Sequence, residues 1–91
     1  MWHVYILQCR DGSYYTGIST DVQSRLERHN CGRGAQYTKS RRPTELVYVE
    51  KHESKKSAQQ REIAIKNLSV VNKEKLIRLG LAKVSVDYKL S

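Results

Sequence analysis

The sequence predicts a small α+β domain, a three-stranded antiparallel sheet flanked by helices in the order ββαβαα. Three observations carry this expectation. Short β-rich runs flank a turn dipeptide near the N-terminus, later segments carry apolar residues at helical spacing behind Ser or Asp caps, and the chain is only 91 residues long. A chain of that size has room for one core and buries only about 60% of its unfolded surface. Any active site should therefore lie at the surface.

The elements follow in order. Trp2 to Cys9 (WHVYILQC) is a β-rich run, Asp11-Gly12 is a turn dipeptide, and Tyr14 to Ile18 can return as the second strand of a hairpin. Ser19, Thr20 and Asp21 offer capping oxygens ahead of DVQSRLERHN, in which Val22 and Leu26 stand one helical turn apart, and Asn30 and Gly32 can end the helix. Thr44 to Glu50 (TELVYVE) reads as the third strand, bounded by Pro43. Ser54 and Ser57 both qualify as caps for a helix in which Ala58, Ala64, Ile65 and Leu68 recur at helical spacing. A short last helix should begin at Asn72 and stop at Gly80. In the tail, Val84, Val86, Tyr88 and Leu90 alternate as in a strand, so residues 1–82 are expected as the domain and 83–91 as a tail able to add an extra strand.

Composition narrows the function classes. With 38% apolar and 29% charged residues, the chain is too apolar for a disordered protein and too polar for a membrane one. Met1 leads directly into Trp2, His3 and Val4 without a basic leader, so a cytoplasmic location is expected. Cys9 and Cys31 lack a CxxC partner and suggest neither a zinc framework nor a disulfide scaffold. The 17 Lys+Arg against 9 Asp+Glu leave a formal charge of +8, and Gly32 to Arg42 (GRGAQYTKSRR) carries Arg33, Lys39, Arg41 and Arg42 with no acid. A polyanion such as nucleic acid is the natural partner, although the same charge could simply be a solvated face.

Several polar residues stand where chemistry would need them. Arg25 and His29 are one helical turn apart, and His29 lies roughly 20° around the helix from Val22, so the pair borders the buried stripe. A guanidinium held there could present its fork to a phosphate; it could also pair with Glu27. Glu62 falls roughly 40° around its helix from Ala58, and an edge carboxylate in a basic protein is a candidate ligand for Mg²⁺, which needs only one or two carboxylates beside phosphate and water. Its alternative partner is Lys66, four residues on. Among six Tyr and no Phe, Tyr5 and Tyr15 fall near the middle of the hairpin strands, where sheet tyrosines usually serve packing.

These residues carry a resemblance. His3-Val4-Tyr5 and Tyr15-Thr16-Gly17 resemble the two halves of the GIY-YIG nuclease signature, and DVQSRLERHNCGRGAQYTKSRRPTELVYVE and REIAIKNL are similar to the small single-domain bacterial members and to the nuclease domain of the eukaryotic structure-specific endonuclease subunit. The resemblance implies a domain that cuts DNA phosphodiesters with one divalent metal, Mg²⁺ or Mn²⁺. It implies catalytic roles for Tyr5, Tyr15, Arg25, His29 and Glu62, with Glu62 the metal ligand, and a basic rim of Arg33, Lys39, Arg41 and Arg42 facing DNA. Gly17 would matter by permitting close approach of backbone or metal-bound water. Only the tyrosines and Gly17 match the tripeptides literally, and Ile18 stands where some repair nucleases carry lysine. Asn67 and Asn72 are both candidates for the family's downstream asparagine. With no separate targeting segment in view, branched or distorted DNA is the expected substrate. A homodimer or a protein partner is compatible with the pattern, and a non-catalytic nucleic-acid adaptor is the alternative function.

Overall fold

The computed structural model describes residues 1–34 and 36–87. Strands β1 (Trp2–Cys9), β2 (Tyr14–Ser19) and β3 (Thr44–His52) form one antiparallel sheet in the order β2-β1-β3, and helices α1 (Val22–Asn30), α2 (Gln36–Lys39), α3 (Lys55–Lys66) and α4 (Val70–Asp87) surround it. The expected α+β architecture is the observed one, with the four-residue helix α2 added inside the basic loop.

Strand alternation gives the sheet two buried faces, each closed by different helices. Val4 and Ile6 pack with Tyr48, with Ala58 and Ile65 of α3, and with Leu76 and Ile77 of α4. The intervening residues Tyr5 and Leu7 pack with Val49 and with Val22 and Leu26 of α1. The register between β1 and β3 shifts between Ile6 and Leu7, so that Ile6 faces Tyr48 while Leu7 faces Leu46. Ile6 and Leu7 are fully buried, and truncating either to Ala should cost about 2–5 kcal/mol.

Local chemistry sets the element ends. Asp11 Oδ1 accepts from the Ser13 backbone N–H at 3.0 Å in the hairpin loop. Gly12 takes a φ of +87°, a conformation in which a side chain would be strained. Asp21 caps α1 by accepting from the Ser24 N–H at 3.0 Å, and Ser54 caps α3 by accepting from the Ser57 N–H at 3.1 Å. Past the C-cap residue Cys31, Gly32 with φ +87° releases the chain from α1.

The C-terminal expectation is corrected. The last helix starts at Val70, with Ser69 Oγ accepting from the Asn72 N–H at 3.2 Å, and it passes through Gly80 to Asp87. Gly80 is needed for contact rather than for termination, since a Cβ there would run into the Tyr48 ring. Residues 83–87, expected as an added strand, are helical, and the 82/83 boundary falls inside α4. A helix already nucleated gains one backbone hydrogen bond for each residue it adds, and this outweighs the local β preference of alternating valines. The remainder of the expected tail, 88–91, lies outside the described residues. Among the described residues no helix is long and apolar enough to cross a membrane.

Candidate active site

Tyr5 of β1 and Tyr15 of β2 sit on the α1 face of the sheet. Tyr5 pairs across the ladder with Gly17, and a Cβ at Gly17 would lie 2.6 Å from the Tyr5 hydroxyl oxygen and 3.2 Å from Cε2 of Tyr15. Gly17 thus makes room for the two phenols while itself lining the cleft beside them. The two rings tilt against each other with centroids 6.4 Å apart.

His29, at the end of α1, closes this pair from above. Its ring is 5.0 Å from that of Tyr15 and its Nε2 is 3.3 Å from the Tyr5 hydroxyl. The residue is only 3% exposed, more deeply placed than the stripe edge expected from helical spacing. The difference comes from the loop, because Gly34 lies directly against the imidazole and Thr38 Oγ1 reaches Nδ1 at 2.7 Å. Burial, followed by the charges of Arg25 and Arg28, holds the His29 pKa below its ordinary 6.5, so the ring is neutral at neutral pH. Tyr5 is pushed the opposite way, above its ordinary 10.0, first by burial and next by Tyr15, with Arg25 only partly offsetting. Its hydroxyl is therefore a protonated phenol.

Tyr5, Tyr15, Gly17, Arg25, His29 and Glu62 line one open cleft of about 350 Å³, together with Ile18, Arg28, Arg33 and Gly34. Glu62 arrives there because α3 packs across β1 and β2, carrying its carboxylate around the β2 edge past Ile18. The carboxylate also pairs with Lys66 at 3.3 Å, the helix contact expected as its alternative partner. Among the described residues Arg25 makes no ion pair with Glu27 or any other acid, and its side chain is exposed in the cleft.

All five expected catalytic residues thus meet in one place. Sequence reasoning missed Arg28, although it lies three residues after Arg25 on the same helix face, and it missed Thr38, for which no local signal exists. The expected basic rim divides. Arg33 lines the cleft, whereas Lys39 and Arg42 border a separate groove of about 510 Å³ with Arg10, Asn30, Ser40 and Pro43. Arg41 is held by Asp11 at 3.0 Å and by the Tyr37 carbonyl at 2.8 Å, and its guanidinium lies 4.0 Å over the Tyr37 ring. Arg42 donates to the Lys39 carbonyl at 2.9 Å. Neither asparagine candidate lines the cleft: Asn67 is the C-cap of α3 and Asn72 stands in the first turn of α4.

Comparison with known proteins identifies the family. The model of the GIY-YIG catalytic domain matches residues 1–75. The chain belongs to the GIY-YIG catalytic domain family. Among relatives of this GIY-YIG domain, a UPF0213 protein of Halobacterium salinarum is 51% identical over 76 residues, covering 84% of this chain and 99% of that one. A UPF0213 protein of Staphylococcus aureus is 52% identical over 75 residues, covering 82% of this chain and 92% of that one. The solution NMR structure of the UPF0213 protein BH0048 from Bacillus halodurans superposes with a TM-score of 0.60 at 43% identity, covering 100% of this chain and 98% of that one.

A divalent ion fits the donor set of this GIY-YIG cleft. No cluster of three or more His, Cys, Asp or Glu side chains that could hold a metal occurs among the described residues, and Glu62 is the one carboxylate among the residues lining the cleft. Mg²⁺ tolerates that arrangement when phosphate oxygens and waters complete its shell, and an open cleft leaves space for them.

Proposed function

We propose that this GIY-YIG domain is a divalent-metal-dependent DNA endonuclease, hydrolysing phosphodiester bonds in the cleft between α1 and the β1–β2 hairpin. The single observation that carries this reading is the meeting of two phenols, a neutral imidazole, guanidinium groups and one carboxylate around the same open space. A phosphodiester resists attack because its negative charge repels the nucleophile and grows further in the transition state. Arg25, Arg28 and Arg33 supply positive charge and fork-shaped donors on the cleft wall. Mg²⁺ or Mn²⁺ held by Glu62 would add charge beside the phosphate oxygens.

Base chemistry falls to the tyrosine and histidine. Tyr5 is protonated at neutral pH, so it can accept a proton from water only if it passes its own onward. His29 Nε2, 3.3 Å away on a neutral ring, is placed to take it. Burial raises the Tyr5 pKa by more than Arg25 and Arg28 lower it. Recognition through backbone charge and DNA shape is supported by the formal charge of +8 and by the rim of Arg33, Lys39 and Arg42. Free thiols at Cys9 and Cys31 suit the reducing cytoplasm.

The test is incubation of the purified protein with Mg²⁺ or Mn²⁺ and labelled duplex, flap, branched and single-stranded DNA. Metal-dependent cleavage lost in Glu62→Ala supports the enzyme. Salt-dependent binding without cleavage on every substrate would establish the adaptor instead.

A further inference from the structure

We infer that Thr38 is a positioning residue for His29, accepting the Nδ1–H of the imidazole and so keeping Nε2 as the lone pair that faces Tyr5. Thr38 is fully buried, and its Oγ1 stands 2.7 Å from Nδ1, while the Tyr5 hydroxyl stands 3.3 Å from Nε2. Both ring nitrogens are thereby engaged in this ring orientation, and a flipped ring would present carbon to both partners.

A neutral imidazole carries one N–H, so only two arrangements satisfy both contacts. In one, Nε2–H points at the Tyr5 oxygen and Thr38 donates to Nδ1. In the other, Tyr5 donates to Nε2 and Nδ1–H points at Thr38. The second matches donors with acceptors better, because a phenol is the stronger donor and the weaker acceptor of the Tyr5–His29 pair. It also leaves the Tyr5 proton, buried with its ring, directed at a strong acceptor. A threonine hydroxyl accepts two hydrogen bonds and donates one, so taking Nδ1–H leaves its own proton for a further partner.

The loop that delivers Thr38 is anchored at its neighbour. Tyr37 stacks on Tyr15 with ring centroids 6.3 Å apart, and Arg41 lies over Tyr37 while paired with Asp11 of the hairpin loop. Adjacent residues of α2 therefore each hold one member of the site, Tyr37 against Tyr15 and Thr38 against His29. Helix α2 acts as a brace whose position is set by the hairpin.

The consequence for turnover rests on the Tyr5–His29 relay proposed above. As the water oxygen forms its bond to phosphorus, its proton passes to the Tyr5 oxygen and the Tyr5 proton passes to Nε2, giving an imidazolium. The bond from phosphorus to the leaving oxygen breaks with its electron pair on that oxygen, which takes a proton from solvent. Only the Nδ1–H tautomer has an empty Nε2 to receive the proton.

The experiment is a long-range proton–nitrogen correlation spectrum of histidine-labelled protein at neutral pH, which distinguishes the protonated from the lone-pair nitrogen of each ring. The wild type and Thr38→Ser are expected to show His29 protonated at Nδ1, and Thr38→Val a shift of the proton towards Nε2. Cleavage should fall about 10–100-fold in Thr38→Val and recover in Thr38→Ser, by analogy with the loss seen when the orienting partner of a metal-ligating histidine is removed. An Nε2–H tautomer in the wild type overturns the inference whether or not the valine variant folds, and so does an unchanged tautomer in a folded Thr38→Val. A tautomer that shifts as expected, while Thr38→Val and His29→Gln both cleave at the wild-type rate, upholds the inference and counts against the relay.

Discussion

The Tyr5 hydroxyl and His29 Nε2, 3.3 Å apart, join the central strand to the end of the first helix. They are 24 positions apart in the chain and both are buried, so the contact is made by the fold. Tyr5→Phe keeps the ring and removes the hydroxyl. Under the proposed relay it should lower cleavage about 10²–10⁴-fold, the usual span for a general base, with DNA affinity unchanged in a binding titration.

Two carboxylates on opposite sides of the sheet should behave differently. Glu62 faces the cleft and, among the described residues, pairs with the half-exposed Lys66, so Glu62→Gln should abolish metal-stimulated cleavage while leaving thermal unfolding nearly unmoved. Glu50 is half-buried, accepting from the Tyr48 hydroxyl and from Arg61 Nε at 2.8 Å, with His52 Nε2 also at 2.8 Å. Burial and this carboxylate push the Tyr48 pKa up to about 12. Glu50→Ala should cost about 1–3 kcal/mol in a denaturant titration, with cleavage by the folded fraction retained.

Gly17→Ala would place a Cβ 2.6 Å from the Tyr5 hydroxyl oxygen. A displacement of packed rings should cost about 1–3 kcal/mol and most of the activity. Tyr5→Phe added to Gly17→Ala removes the closest clashing atom, so the pair should be more stable than the sum of the single changes. A double-mutant cycle on unfolding free energies measures this, and strict additivity would contradict the packing role.

His29 also predicts a pH effect on stability. Its folded pKa lies below the ordinary 6.5, so on acidification the unfolded chain takes up the proton first. Stability should fall as pH drops below about 6.5 and be fully present above it. His29→Gln should flatten that part of the curve relative to wild type, leaving the contribution of His3, which is lowered in the same direction by burial. Chemical denaturation across this pH window would show it.

The arginines of the basic loop should separate by salt dependence. Arg33→Gln removes a cleft cation and should reduce the salt slope of DNA binding by about one, whereas Arg41→Gln should change that slope little, since Arg41 is already paired with Asp11. Arg41→Gln should instead loosen Tyr37, read as a change in tyrosine fluorescence.

Much of this protein was legible because it is written in short-range chemistry. The strand Trp2–Cys9, the third strand expected over Thr44 to Glu50 and observed to His52, the capping segments from which Asp21 and Ser54 are used, and the turn spacing of Arg25 and His29 all depend on neighbours within a few positions, where propensity and hydrogen bonding act. Helical spacing marked Glu62 as an edge carboxylate and the family resemblance joined it to the tyrosines, but neither said how it would reach them.

The tertiary structure decided the rest. It brought Glu62 around the β2 edge to the tyrosines, placed Thr38 on His29, withdrew Arg41 from the rim to Asp11, and carried α4 through Gly80 because Tyr48 needs a residue without a side chain there. Each of these depends on sheet register, helix packing or the path of a loop, and none has a counterpart within one helical turn of sequence. The sequence determined which groups the chain owns and which local elements carry them. Packing two helix layers onto one three-stranded sheet determined which groups meet, and proton transfer and phosphate binding depend on that meeting.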